Sequence, residues 1–184
     1  MLITISGLPG SGTTTVSRLV ADALGLARLP GGEVFRQMAA EAGMTLAEFG
    51  VHAQDHPSID RELDDRLAAR AAEGGCVIES RLAGWLATRA GLRAVRVWVD
   101  CADEVRAERV AVRDGTTAAQ ALADNAARSD LERARYRAVY AIDLDDRSTY
   151  DLVLDSTTEP PEALTARIVD RARVLDAEGY WSAR

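Results

Sequence analysis

Two glycines and a threonine set out the first chemistry in this chain. Gly7 and Gly12 stand in the stretch Gly7-Leu8-Pro9-Gly10-Ser11-Gly12-Thr13-Thr14-Thr15, with Thr14 two positions after the second glycine. This is the spacing of a phosphate-binding loop, G-x-x-x-x-G-K-S/T. Its glycines let successive backbone N–H groups turn inward around a phosphate, and the helix that follows adds its dipole. Thr14 takes the position of the hydroxyl that ligates magnesium. Thr13 takes the position of the lysine, so the loop lacks its cation.

A phosphate site without lysine needs positive charge from elsewhere. All 22 basic residues are arginines, so that charge must come from arginine or from a metal ion. Arg106, Arg109 and Arg113 fall at steps of three and four, on one face of an expected helix. Arg128 and Arg135 share a face of the next helix, with Glu132 between them. Asp114-Gly115 separates the two helices as a hinge would, letting a lid swing arginines onto a triphosphate. The plainer reading, two solvated faces laced with ion pairs, stays open for either cluster taken alone.

A second group of candidates lies earlier in the chain. Arg36 comes early in a helix that follows Gly31-Gly32, where it would meet the phosphate of an acceptor or simply face solvent. Arg81 stands just past a strand end, the place where clefts form in parallel sheets. Glu79 would hold magnesium through water, orient Arg81, or make an ordinary ion pair. Asp60 and Arg61, at the opening of a further helix, would reach an acceptor's base or phosphate, with a helix cap as the alternative for Asp60. His52 and His56 have no carboxylate or cysteine at ligand spacing and read as surface residues. Trp85, Trp98 and Trp181 read as packing aromatics.

Strands alternating with helices must position these groups. Leu2–Ser6 is an apolar strand leading into the loop, and helical spacing runs from Thr14 to about Leu24, with Gly25 as C-cap. Ala27–Leu29 is a brief strand, and Glu33–Ala42 a helix. Thr45-Leu46-Ala47-Glu48 has capping-box spacing. After a break at His56-Pro57-Ser58, Ile59–Glu73 is helical. Cys76–Ile78, Ala94–Val99 and Asp151–Asp155 are strands. Trp85 and Leu86 mark a short helix packed on the sheet, Asp103–Arg113 and a long segment to about Tyr140 are helices, and Pro160-Pro161 opens a last one to about Ala177. The order predicts an α/β fold, a parallel five-stranded sheet with helices on both faces and ligands beyond the strands' carboxyl ends.

With 184 residues, 47% apolar and 28% charged, the chain suits one domain over residues 1–184. Its net charge of −7 argues against a general nucleic-acid binder. Cys76 and Cys101 are expected as buried, reduced thiols. No signal-like segment or membrane-length run is visible, so a cytoplasmic protein with no membrane partner is expected, acting as a monomer.

Taken in order, several blocks resemble the short, archaeal-type cytidylate kinases, members of the nucleoside monophosphate kinases. They are the loop itself, Gly31-Gly32-Glu33-Val34-Phe35-Arg36, Ile59-Asp60-Arg61-Glu62-Leu63-Asp64 and Glu79-Ser80-Arg81-Leu82-Ala83-Gly84-Trp85. Further on come Val105-Arg106-Ala107-Glu108-Arg109, Arg135-Tyr136, Tyr140-Ala141-Ile142-Asp143 and Tyr150-Asp151-Leu152-Val153-Leu154-Asp155-Ser156-Thr157-Thr158. That family carries threonine where other phosphate loops carry lysine, so Thr13 fits the resemblance. The resemblance implies a three-layer P-loop NTPase fold, an acceptor-binding region around 31–70 and a lid around 109–135. It implies Mg2+-dependent transfer of the ATP γ-phosphate to CMP or dCMP. Residues 7–15 would hold ATP, with Thr14 on the metal. Arg36, Asp60, Arg61, Glu79 and Arg81 would serve the acceptor, and Arg109, Arg113, Arg128 and Arg135 the donor and transferring phosphates. Ser80 replaces a common glycine, and Leu29-Pro30-Gly31 replaces the usual small pair. Both departures lie on the acceptor side, which keeps two alternatives in play: a kinase for a modified nucleotide or other small metabolite, and a non-catalytic nucleotide-binding protein.

Overall fold

The computed structural model describes residues 1–181; residues 182–184 of the expected 1–184 span lie outside the described residues. In chain order the elements are β1 (Leu2–Gly7), α1 (Thr13–Leu24), β2 (Ala27–Pro30), α2 (Gly31–Glu41), α3 (Leu46–Asp55), α4 (Pro57–Glu73) and β3 (Cys76–Glu79). They continue with α5 (Ala83–Arg89), β4 (Val95–Asp100), α6 (Asp103–Asp114), α7 (Ala118–Tyr140), β5 (Leu152–Asp155) and α8 (Pro161–Ala177). The five strands form one sheet in the order β2-β3-β1-β4-β5, all pairs parallel.

Alternation along the strands decides which side chains meet which helix layer. Ile3 and Ile5 point to one face, with Val77, Val95, Val97, Val99 and Leu154, and there they pack on Val16 and Val20 of α1 and Leu164, Ile168 and Ala172 of α8. Leu2, Cys76 and Ile78 point to the other face, where Phe35, Ala39, Phe49, Leu63 and Leu67 cover them. Each fully buried Ile, Val or Leu contributes about 1.5–3 kcal/mol relative to an exposed one. Two such layers anchor the sheet, and the strand ends inherit that rigidity.

Several boundaries differ from those the sequence predicts. The helix expected from Glu33 begins at Gly31, and the helix expected from Ile59 begins at Pro57, leaving His56 alone as the break. Proline is suited to a first turn, where its missing N–H has no intrahelical partner anyway. The capping box is formed: Thr45 Oγ1 accepts from the Glu48 N–H, and the Glu48 carboxylate accepts from the Thr45 N–H. Trp85 and Leu86 of α5 join Leu82, Tyr136, Ile142 and Leu144 at the end of α7, so they dock that helix rather than only covering the sheet. Cys76 is buried, but Cys101 is half-buried. Among the described residues no helix is long and apolar enough to cross a membrane.

The sheet order places the loop. The chain moves from β1 to β2 and β3 on one side, then crosses back over β1 to β4 and β5 on the other. The reversal occurs at β1, and a crevice opens there beyond the carboxyl ends of the strands. The segment Gly7–Thr15 follows β1 directly into that crevice.

Candidate active site

One wall of the crevice is the loop itself. Gly10 adopts φ +84°, and a Cβ there would stand 2.5 Å from the Arg106 carbonyl oxygen, so only glycine fits. Gly12 caps α1 in the left-handed region without any side-chain hydrogen bond to the helix. The first N–H groups of α1 therefore keep their capacity for an anion. Ser11 N–H donates to the Leu8 carbonyl at 3.1 Å, which curls the loop.

The hydroxyls of the loop converge on Glu79 at the end of β3. Thr13 Oγ1 and Thr14 Oγ1 donate to Glu79 Oε1 at 3.0 and 2.7 Å, and Ser17 Oγ donates to Oε2 at 3.0 Å. Arg28 of β2 lies 3.7 Å from the same carboxylate. Where a lysine is usual, this chain places a neutral hydroxyl against a carboxylate. Glu79 does not orient Arg81, one of the roles open to it in sequence.

Helix α6 braces the loop from behind. Arg106 is buried; its Nη1 donates to the Pro9 carbonyl at 2.9 Å and its Nη2 pairs with Asp103 at 2.6 Å. It is a structural clamp, which its helical spacing with Arg109 and Arg113 did not reveal. Arg109 donates to the Ser156 carbonyl and hydroxyl at 2.7 and 3.1 Å, and Ser156 Oγ in turn donates to the Ser11 carbonyl at 2.8 Å. Arg109 Nη1 also lies 3.4 Å from Cys101 Sγ. Arg113 lines the cleft mouth, paired with its neighbour Asp114.

The opposite wall gathers side chains from distant segments. The cleft is lined by Arg36, Asp60, Asp64, Arg81, Arg128 and Glu132, among others, together with loop residues Leu8 to Gly10, Thr13 and Thr14. Arg81 Nη1 donates to the Gly7 carbonyl at 2.6 Å and its Nε to Glu132 at 2.7 Å. Arg128 Nε meets the other Glu132 oxygen at 2.8 Å. Burial alone would push the Glu132 carboxyl up, but the two guanidiniums beside it hold it at about 2. Arg36 makes no hydrogen bond or ion pair among the described residues, leaving its guanidinium available on the cleft.

Two sequence expectations change here. The sequence groups Arg135 with the arginines of the donor side, yet it is buried in an ion pair with Asp60 at 2.9 Å and donates to the Gly50 carbonyl at 3.0 Å. Its guanidinium lies over the Phe35 and Tyr136 rings. It therefore joins α7 to α3 and α4 on the wall opposite the loop. Asp60 is not the helix cap, since His56 occupies that position. Arg61 is exposed and absent from the cleft lining, because one step along a helix turns it about 100° from Asp60. His52 and His56 stack on each other at 3.9 Å, also outside the cleft. Trp98 is buried, whereas Trp85 and Trp181 are half-buried.

Sequence reasoning passed over Asp64 and Tyr140 as site residues. Tyr140 Oη donates to Asp64 Oδ2 at 2.5 Å, and burial raises the Asp64 carboxyl to about 6. A Leu63-Asp64 pair after Asp60 is the available signal, since steps of three and four share a helix face.

A doubly covered parallel sheet, with a phosphate loop at its switch point and an arginine-lined cleft above it, defines the P-loop kinase fold. A gluconokinase from Sinorhizobium meliloti superposes with a TM-score of 0.61 over 99% of this chain and 97% of its own, at 18% identity, a likeness of fold alone. The chain belongs to the cytidylate kinase-like family, whose pattern residues 2–158 match. It is 45% identical to a cytidylate kinase of Pyrococcus horikoshii over 179 residues, covering 97% of this chain and 92% of that one. It is 42% identical to a cytidylate kinase of Halobacterium salinarum over the same shares.

Proposed function

We propose that this protein transfers the γ-phosphate of ATP to CMP or dCMP, giving CDP or dCDP and ADP. The unit is one nucleoside monophosphate kinase domain over residues 1–184, with an acceptor region of about 31–70 and a lid of about 109–135. The observation that carries the reading is the pairing, across one cleft, of a phosphate loop with a second arginine set on the acceptor wall. A protein that only bound one nucleotide has no use for the second set. The relatives named cytidylate kinase point to the acceptor.

Each wall has a distinct task. Residues 7–15 cradle the ATP phosphates through backbone N–H groups at the start of α1. Arg36 and Arg81 hold the acceptor phosphate, with Asp60 fixing α4 through Arg135. Arg109, Arg113 and Arg128 bring positive charge to the transferring group as the lid closes, replacing the charge Thr13 does not carry. The Thr14 hydroxyl and the Glu79 carboxylate, 2.7 Å apart, are the hard oxygen donors that suit magnesium, which keeps most of its positions for phosphate and water. A magnesium ion held by these two groups would supply neutralisation of phosphate charge.

The test is ATP consumption with CMP, dCMP, UMP, AMP and dTMP. A cytosine nucleotide is expected to be the preferred acceptor, with ADP and CDP formed in equal amounts. ATP binding by calorimetry with no CDP formed, or no preference for cytosine, overturns the reading.

A further inference from the structure

The acceptor wall carries more negative charge than phosphate recognition can use. Asp60 and Asp64 stand one helical turn apart on α4, both lining the cleft, with Leu63 between them. A carboxylate beside an acceptor phosphate would repel it, so this part of the wall faces another portion of the ligand. The cations divide unevenly between the two. Arg135 lies 2.9 Å from Asp60 and offsets its charge. Among the described residues Asp64 has no cation in contact, and only one of its oxygens accepts a hydrogen bond, from Tyr140 Oη. The residue is 8% exposed and lines the cleft. A largely buried carboxylate with half its acceptor capacity unused calls for an N–H donor from whatever fills the space.

We infer that Asp64, positioned by Tyr140, reads the acceptor base by accepting a hydrogen bond from the exocyclic amino group of cytosine. The inference rests on the phosphoryl-transfer reading above and deepens it to a specificity determinant. Cytosine presents two N–H bonds at its 4-position. Uracil and thymine present a carbonyl oxygen there, whose lone pairs face the carboxylate. Their one ring N–H on that edge is flanked by carbonyl oxygens on both sides, so approach through it brings two lone-pair repulsions for one hydrogen bond. A site built to accept from an amino group rejects the isostere that lacks it far more strongly than an apolar pocket discriminates by size. Side chains here tie the middle of α4 to the end of α7. Tyr140 is the last residue of α7, and its ring is fixed by Leu82, Ile142 and Leu144. Its hydroxyl holds Asp64 in one orientation, and Phe35 and Tyr136 supply apolar surface nearby on the same cleft.

Asp64→Asn tests the assignment, because the amide keeps the shape and the tyrosine contact but adds a donor that suits a carbonyl. The parent is first confirmed to turn over CMP, which separates failure of the functional reading from failure of this one. The ratio of kcat/KM for CMP to that for UMP is expected to fall roughly 100-fold in Asp64→Asn, with gain on UMP as well as loss on CMP, while the KM for ATP stays within about twofold. Tyr140→Phe, which leaves the carboxylate but frees it to rotate, is expected to lower the same ratio roughly tenfold through the KM for CMP, with kcat little changed. A CMP/UMP ratio within about threefold of the parent in Asp64→Asn, or equal loss with every acceptor while ATP binding persists, overturns the assignment. Should Asp64→Asn not fold, the Tyr140→Phe ratio decides alone, and an unchanged ratio there overturns it.

Discussion

The two walls of the cleft are built on opposite principles. The donor wall is one unbroken run, Gly7 to Thr15, presenting backbone N–H groups and hydroxyls at the end of β1 and the start of α1. The wall proposed for the acceptor collects single side chains from α2, α4, the turn after β3 and α7, linked by ion pairs such as Arg81–Glu132–Arg128 and Arg135–Asp60. A wall of backbone donors is suited to tolerate the change of one side chain, here threonine in the lysine position. A wall of buried charges is not, since removing one partner leaves the other uncompensated.

The sharpest way to break this comparison is a substitution on each side. Arg81→Ala removes the donor to the Gly7 carbonyl and one of two cations on Glu132. It is expected to lower kcat/KM for CMP by roughly 1,000-fold, about 4 kcal/mol of barrier, and to lower the melting temperature. Thr13→Val, which deletes one hydroxyl hydrogen bond to Glu79, is expected to cost only about tenfold. Steady-state kinetics on the pair decides, and similar losses for both would erase the distinction between the walls.

The lid arginines come next. Arg109→Ala and Arg113→Ala are each expected to reduce kcat roughly 100-fold with smaller changes in either KM, as charge on the transferring group is lost. Turnover within about twofold of the parent in both variants, well under 1 kcal/mol, would remove these residues from the chemistry and leave Arg128 and the metal to supply it.

The smallest effect separates two carboxyls of the acceptor wall by pH. Asp64 is raised to about 6 by burial, which outweighs the pull of the Tyr140 hydroxyl and of Arg135; Asp60 and Asp65 add to the rise. A raised carboxyl favours the folded state in its protonated form, so its contribution is full below the unfolded value of 3.8 and is lost as pH rises through about 6. Glu132 runs the other way. Burial opposes its ionisation, but Arg81 and Arg128 prevail and hold it at about 2, so its contribution is present above 4.5 and disappears as pH falls toward 2. Denaturant melts should therefore show Asp64→Asn gaining stability relative to the parent at pH 8 but not at about pH 4. Glu132→Gln should lose stability at pH 8 and lose least near pH 2. Parallel curves for the two variants would mean that the wall is not divided in this way.

Much of the donor side was legible because its determinants are local. The spacing of Gly7 and Gly12, the apolar strand before them and the amphipathic helix after them lie within one short stretch. Arg106 shows where that legibility stops. Its spacing matched a lid arginine, but the loop packs against its helix, and the side chain is spent on the Pro9 carbonyl. Arg61 and Asp60 are adjacent in sequence but on different faces of α4, a distinction settled by where α4 begins and which face Leu63 and Leu67 bury.

By itself the sequence determined the order of strands and helices, the site of the loop and the absence of a lysine to serve it. Such features depend on backbone dihedral preference and on side-chain periodicity, both of which act over a few residues. Only the tertiary structure decided that Arg135 belongs to Asp60, that Glu79 receives the loop hydroxyls, and that Tyr140 meets Asp64 across 76 positions of chain. An arginine pairs with whichever carboxylate the packed core brings within reach, and that choice is made by the sheet order and the helix faces together.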